Sequence, residues 1–265
     1  MTNKENRRSR ILVGASSFAD AATALRLVDK LATIFRSVCG GVLVEEESIL
    51  AICQIQDKRI ILMNGATMKA PSRSQVRTQL NADARAFRQS LARTAKAAGA
   101  DWAFSQEAGD LINIALRAAT GWDILVIGSR YLNAIKGKIV LLEMLDAVRE
   151  EMRDAAELLA RQFSADQVVF SVDQGKRREG STLSSANFSF ASLDEALRAL
   201  AQTNAQAVLV DYSRGPVRTA EDISRLLEVS HCPVIIFGIS GANVAADNTV
   251  PSPYASDARG QTREN

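Results

Sequence analysis

Glycine and short hydroxyl side chains follow two apolar runs of this sequence, at points where strands would end. Glycine lets backbone N–H groups approach phosphate oxygens closely, and serine hydroxyls and a guanidinium can donate further hydrogen bonds to them. The pattern predicts an anion- or nucleotide-binding crevice at the carboxyl ends of two strands. Its lining residues are Gly14, Ser16, Ser17, Gly128, Ser129 and Arg130. In the alternative interpretation, both glycines only allow tight turns after their strands, and the arginine is solvated.

The other residue types that commonly carry chemistry give no constellation. His231 is the only histidine, and no nucleophile or orienting carboxylate can be placed beside it from the sequence. Cys39, Cys53 and Cys232 are odd in number and widely spaced, which argues against a disulfide framework or a zinc site and favours a reducing compartment. We predict no catalytic residue and no metal ligand.

The charges are balanced along the chain. Its 265 residues include 32 basic and 30 acidic side chains, for a formal net charge of +2. This balance gives no electrostatic reason to expect nucleic acid or an anionic membrane as partner. No apolar run approaches the roughly 18 residues of a membrane span, and the N-terminus lacks the apolar region of a signal peptide. The expected location is the cytoplasm.

Short apolar runs alternate with amphipathic segments, which is typical of an α/β fold with a parallel, doubly wound sheet. The predicted strands are 10–14, 41–44, 102–105, 123–128, 138–142, 167–172, 207–210 and 233–237. The predicted helices are 19–35, 72–98, 110–119, 145–163, 193–203 and 219–229, with Asp110 as a candidate N-cap. Residues 49–52 and 59–63 favour a hairpin or two extra strands, and 174–187 a polar loop.

The sequence also contains an internal match. Ile11–Glu45 aligns with Ile139–Asp173 without gaps, and Ser129–Arg130 aligns with Ser213–Arg214 at a smaller offset. We interpret this as two pseudo-repeated units, although any two strand–helix–strand segments share such a pattern by chance. The predicted organisation is a disordered tail at 1–9, units at 10–137 and 138–240, and a second disordered tail at 241–265. The first unit keeps a long middle helix, whereas the second keeps a closing helix and strand.

Three segments resemble universal stress proteins: ILVGASSF from Ile11, GDLINIALRAATGWDILVIGSR from Gly109, and HCPVIIFG from His231. The resemblance implies an adenine-nucleotide-hydrolase-like fold with a five-stranded parallel sheet covered on both faces, often duplicated within one chain. It also implies a role in the stress response and, in many members, ATP binding.

The resemblance weakens at the residues that would hold ATP. Members that bind ATP carry an acidic residue at the end of the first strand, where this chain has Ser16. They then carry a Gly-x-x-Gly motif, nine further residues and a third glycine. Here Gly128 begins the motif, but Tyr131 and Leu141 occupy the other two glycine positions. In the second unit Asp211 stands in place of the glycine, and its charge is expected to repel phosphate.

Three hypotheses follow. The first is a non-catalytic regulatory or scaffolding protein of the universal-stress type, with a degenerate ATP site and action through protein contacts. The second is a nucleotide-binding protein for ATP or AMP, with a rearranged phosphate loop between Gly128 and Lys138 and at most weak ATPase activity. The third is an assembly protein that oligomerises through segment 49–70. The partners expected are proteins, or a second copy joined through a sheet edge or segment 49–70.

Overall fold

The computed structural model describes residues 9–35, 38–46, 59–61, 67–69, 71–129, 137–145, 149–173 and 187–239. Several sequence-based predictions fall outside these residues: both predicted tails except at 9, Arg130, Tyr131, Cys53 and most of the segments 49–70 and 174–187.

Strands and helices alternate along most of the described chain. The strands are β1 (Arg10–Ala15), β2 (Val38–Glu46), β3 (Arg59–Ile61), β4 (Thr67–Lys69), β5 (Trp102–Gly109), β6 (Ile124–Ile127), β7 (Lys138–Met144), β8 (Asp166–Val172), β9 (Asn187–Phe190), β10 (Ala205–Asp211) and β11 (Val234–Phe237). The helices are α1 (Phe18–Phe35), α2 (Arg73–Ala97), α3 (Leu111–Ala118), α4 (Glu150–Phe163), α5 (Leu193–Ala201) and α6 (Ala220–Ser230).

Nine of these strands form one mixed, mostly parallel sheet. Their order is β5-β2-β1-β6-β11-β10-β7-β8-β9, and every neighbouring pair is parallel except β6 and β11. The central strands read as continuous apolar runs because helices cover both of their faces. The predicted doubly wound α/β class is therefore confirmed, with one antiparallel pair that the prediction of a parallel sheet did not include.

The core consists of two apolar layers, one on each face of the sheet. Successive side chains of β1 alternate between them, so that Leu12 points to one layer while Ile11 and Val13 point to the other. Helices α3, α5 and α6 cover the first layer, and α1, α2 and α4 cover the second. No described helix is long and apolar enough to cross a membrane.

The two halves of the sheet have related strand orders. Strands of the first half run β5-β2-β1-β6, and those of the second run β9-β8-β7-β10-β11, with an additional closing strand. Helices α1 and α4 end 128 residues apart, at Phe35 and Phe163, and the strands that follow begin 128 residues apart, at Val38 and Asp166. Because β6 and β11 are antiparallel, the strands of the first half and those of the second half run in opposite directions. Their carboxyl ends therefore lie at opposite ends of the strands across the sheet. A duplicated unit remains a prediction.

Several predicted boundaries were wrong. The hairpin joins 59–61 to 67–69, whereas 49–52 lies outside the described residues. Leu145, which the apolar stripe placed in a helix, lies in a turn with its side chain 40% exposed, because α4 begins only at Glu150. The polar loop at 174–187 was predicted to contain no strand, yet its last residue, Asn187, begins β9. Asp110 is confirmed as the N-cap of α3, since its carboxylate accepts a hydrogen bond from the backbone N–H of Asn113.

Candidate functional site

The predicted crevice lies where β1 and β6 end side by side. The backbone N–H of Gly128 donates to the carbonyl oxygen of Gly14 at 3.0 Å, so the two glycines lie on neighbouring strands at one edge. Ser16 and Ser17 follow β1, and Ser129 follows Gly128. The structure thus places the predicted residues together, apart from Arg130, which it does not describe.

Close packing of helix α1 explains the requirement for glycine at the end of β6. A Cβ atom on Gly128 would lie 2.2 Å from the carbonyl oxygen of Asp20, in the first turn of α1. At Gly14 the constraint is weaker, because a Cβ atom there would lie 3.0 Å from the Cβ of Ala115. Both glycines therefore have a packing role that needs no bound phosphate, which favours the turn-and-packing interpretation.

The chain's own side chains satisfy the N-terminus of α1. Ser17 Oγ accepts from the backbone N–H of Asp20 at 3.2 Å, and the hydroxyls of Ser16 and Ser17 both donate to the Asp20 carboxylate. The backbone N–H of Phe18 donates to the carboxylate of Asp83, on α2, at 3.2 Å. A helix N-terminus attracts anions because its first N–H groups lack intrahelical partners. Here two carboxylates already lie at that place.

A hydroxyl group ties the residue after β6 to the same turn of α1. The Oγ1 atom of Thr23 lies 2.7 Å from the carbonyl oxygen of Asp20 and 3.0 Å from that of Ser129. The backbone N–H of Ser129, one of the donors expected to face a ligand, points to the same Oγ1 atom at 3.4 Å. The hydroxyls of Ser16 and Ser17 and the backbone N–H groups of Gly128 and Ser129 thus have partners within the protein.

Only the two ends of the proposed phosphate loop, at Gly128 and at Gly137 and Lys138, lie among the described residues. Leu141, predicted at the third glycine position, is fully buried in the middle of β7 and cannot belong to a loop. Gly137 and Lys138 lie at the start of β7, which β11 and β10 separate from β6. Three strand spacings amount to about 14 Å, so one phosphate group cannot contact both Gly128 and Lys138.

The carboxyl ends of β7 and β10 carry a charge cluster that the sequence did not predict, at a place that we call the second crevice. Glu143 is the second-last residue of β7 and Asp211 the last residue of the neighbouring β10, and they are 3% and 1% exposed. By strand alternation both point to the layer under α4. Arg149, just before α4, donates from Nε to Asp211 Oδ2 at 2.6 Å, and Arg153 donates from Nη2 to Glu143 Oε1 at 2.9 Å. In the sequence, this cluster could have been recognised from the acidic residues that close two apolar runs, Glu143 and Asp211, together with two arginines four residues apart.

A dense hydrogen-bond network surrounds Asp211. Its Oδ1 accepts from the hydroxyl of Ser213 at 2.7 Å and from the backbone N–H groups of Ser213 and Arg214. Burial raises the pKa of Asp211, but the hydrogen bonds from Arg149 and Ser213 and the charge of Arg149 together outweigh burial and leave the pKa below its usual value. The carboxylate of Asp211 is paired with the guanidinium of Arg149, and its expected repulsion of phosphate stays a prediction. The alignment of Ser129–Arg130 with Ser213–Arg214 also places Gly128 opposite Tyr212 and not opposite Asp211.

We expect Asp211 to contribute to the acid sensitivity of folding. Because its folded pKa is depressed, its stabilisation is complete above the unfolded pKa of about 3.9 and is lost as the pH falls through the folded pKa. The Asp211→Asn variant should therefore lose less free energy of unfolding than the wild type between neutral and acid pH. Urea unfolding at a series of pH values measures this slope. Asp194→Asn is the control, because the pair of Asp194 with Arg225 is solvent-exposed and is screened at high salt; equal slopes for wild type and Asp211→Asn would contradict the prediction.

Two cysteines lie inside the core and are expected to be unreactive. Burial raises the pKa of Cys39 to about 11 and that of Cys232 to about 12. At pH 8 the thiolate fraction of either is at most about one in a thousand. In a Cys53→Ser variant, neither thiol should react with Ellman's reagent until the protein is unfolded, when both should react. A rapid reaction of one thiol per folded chain would show that a cysteine is accessible.

His231 lies at the C-terminal end of α6, in the left-handed conformation with φ of 49°. The left-handed conformation is common at the position that ends a helix. Within the described ranges, no group of three or more histidine, cysteine or acidic side chains is arranged to hold a metal ion.

Similar proteins are found by comparison of structures and not by comparison of sequences. No family model matches the sequence, and no curated protein sequence is significantly similar to it. A universal stress protein from Archaeoglobus fulgidus is similar in fold, with 10% identity and a TM-score of 0.44 over 87% of this chain and 96% of that one.

Two proteins from Pseudomonas aeruginosa are similar to the same degree. One, of unknown function, has 12% identity and a TM-score of 0.46, over 89% of this chain and 94% of its own. The other is a candidate universal stress protein with 13% identity and a TM-score of 0.45, over 88% and 94% of the two chains. Similarity of this degree does not carry an activity from one protein to another.

Proposed function

We propose that this chain is a non-catalytic regulatory or scaffolding protein of the universal-stress type that acts through protein contacts. The observation that carries the proposal is the N-terminus of α1, where the carboxylates of Asp20 and Asp83 occupy the place of a bound anion. A phosphate group there would meet two negative charges at close range, one of them on a side chain only 5% exposed.

The second crevice supports the same proposal. Arg149 and Arg153 are the cations that could stabilise a transferred phosphoryl group, yet each already donates to a buried carboxylate. A cation accelerates a reaction only if it stabilises the transition state more than the ground state. In the ground state these two arginines already bind carboxylates. Freeing either arginine would leave a buried carboxylate unpaired, which is costly.

Nucleotide binding can be tested directly on the purified protein. The protein is denatured, and the supernatant is chromatographed for adenine nucleotides; thermal unfolding is then followed with added ATP and AMP. A ligand present at 100 times its dissociation constant would stabilise the fold by about 2.7 kcal/mol. We expect no released nucleotide and no shift in unfolding temperature. Co-purified nucleotide together with stabilisation by ATP would overturn the proposal in favour of the nucleotide-binding alternative.

A second candidate function is assembly through the hairpin β3–β4. The two strands pair antiparallel as a separate two-stranded sheet outside the nine-stranded one. Because an isolated hairpin is marginally stable in water, contact with another surface favours its formation. This candidate predicts concentration-dependent association in sedimentation velocity that is lost when 49–70 is replaced by a Gly-Ser linker. Association that survives the replacement would exclude it.

A further inference from the structure

A cavity of about 400 Å³ lies between helices α1 and α2, and the end of α4 closes one side of it. Helix α1 lines it along one stripe that includes Ala22, Leu25 and Arg26, whereas Ser90 and Arg93 on α2 line the opposite wall. The volume falls within the range of about 300–1,000 Å³ that small-molecule sites occupy. The cavity belongs to neither crevice at the strand ends.

The lining of this cavity carries more positive than negative charge, with Arg26, Lys30 and Arg93 against Asp29. Lys30 lies 3.1 Å from the carboxylate of its neighbour Asp29. Arg26 and Arg93, on opposite walls, have no ion pair with a carboxylate in the described part of the chain, and Arg93 Nη2 donates to Ser90 Oγ at 2.9 Å. Guanidinium groups bind carboxylate, sulfonate and phosphate oxygens with paired hydrogen bonds. Two of them facing one cavity therefore favour an anion.

The floor of the cavity is apolar. Leu25 is only 5% exposed, and Phe163, the last residue of α4, is half-buried beside it. An inorganic anion would leave this floor in contact with water, whereas an apolar chain would cover it and gain about 25 cal/mol per Å² of apolar surface removed from water.

We infer that this cavity binds an organic anion with an apolar body, of the class of medium-chain carboxylates. The anionic group lies between Arg26 and Arg93, and the hydrocarbon chain lies on Leu25 and Phe163. The inference concerns a site separate from both crevices and does not depend on whether the protein binds nucleotides.

Calorimetric titration of the full chain tests the inference, with decanoate below its micellar concentration as the probe. We expect saturable binding with one site per chain. Acetate, which lacks the chain, and decyltrimethylammonium, which has the opposite charge, should each bind at least tenfold more weakly. Equal binding of decyltrimethylammonium, or no saturable binding of decanoate, would overturn the inference.

Variants locate the site. The double variant Arg26→Gln/Arg93→Gln should weaken decanoate binding at least tenfold, since both charge-assisted hydrogen bonds are lost. Arg85→Gln is the matched control, because Arg85 is exposed on α2 but does not line the cavity; it should change binding less than twofold. Circular dichroism establishes that the variants are folded. If the control weakens binding as much as the double variant does, decanoate is held by general surface charge and the inference is wrong.

Discussion

The Gly128→Ala variant is expected to lose about 3 kcal/mol of free energy of unfolding in urea titrations. The added Cβ would lie 2.2 Å from the carbonyl oxygen of Asp20 and 2.5 Å from its carbonyl carbon. These are backbone atoms in the first turn of α1, which Ser17 and Asp83 hold by hydrogen bonds. The methyl group can therefore be accommodated only if the helix moves off the sheet, which separates a close-packed core layer.

Gly14→Ala is the graded control for this prediction. Gly14 lies near the end of the neighbouring strand, and the closest atom to its added Cβ would be the side-chain Cβ of Ala115, at 3.0 Å. We expect a loss of about 1 kcal/mol, because a small shift of α3 relieves that contact. If Gly128→Ala were no more destabilising than Gly14→Ala, packing of α1 would not explain the glycine. A role in ligand binding would then regain support.

The Arg149→Ala variant is expected to lose about 3 kcal/mol of free energy of unfolding at neutral pH. Asp211 would keep its hydrogen bonds from Ser213 but would lose its ion pair with Arg149 while remaining almost fully buried. A buried charge without a counter-charge is among the most destabilising changes that a single substitution can cause. Chemical denaturation of the purified variant measures the loss.

Two further variants separate this pair from general surface electrostatics. The Arg161→Ala variant removes an exposed ion pair with Glu157 on α4 and should lose less than about 0.5 kcal/mol of free energy of unfolding. Adding Asp211→Asn to Arg149→Ala removes the unpaired charge and should restore part of the lost stability. If Arg149→Ala and Arg161→Ala were equally mild, the buried pair would not hold the second crevice together.

The second pair of charges at the same edge bears on the proposed function. Arg153 and Glu143 repeat the arrangement of Arg149 and Asp211 one strand further along the sheet. Together they form an internally neutral cluster at the place where open α/β sheets commonly bind ligands. Pairing of these arginines with buried carboxylates supports the non-catalytic role proposed above.

The sequence by itself determined the class of fold and most of its elements. Continuous apolar runs such as Ile124–Ile127 indicate strands covered on both faces, and the spacing of apolar residues in 19–35 indicates a helix with one buried stripe. It also placed Gly14 and Gly128 together, because neighbouring parallel strands end at the same side of a sheet. These are local patterns, and local patterns are readable without knowledge of the packing.

Only the tertiary structure decided what these residues touch. Asp83 reaches the N-terminus of α1 from 65 positions away, and Arg149 reaches Asp211 across 62 positions, so no spacing in the sequence relates them. The antiparallel pairing of β6 with β11 likewise depends on which sheet edges meet. That pairing sends the two crevices to opposite edges of the sheet. Helix packing and strand pairing are fixed by contacts between distant segments. These contacts place the protein's own side chains at the predicted crevice and at the charge cluster that the sequence did not predict.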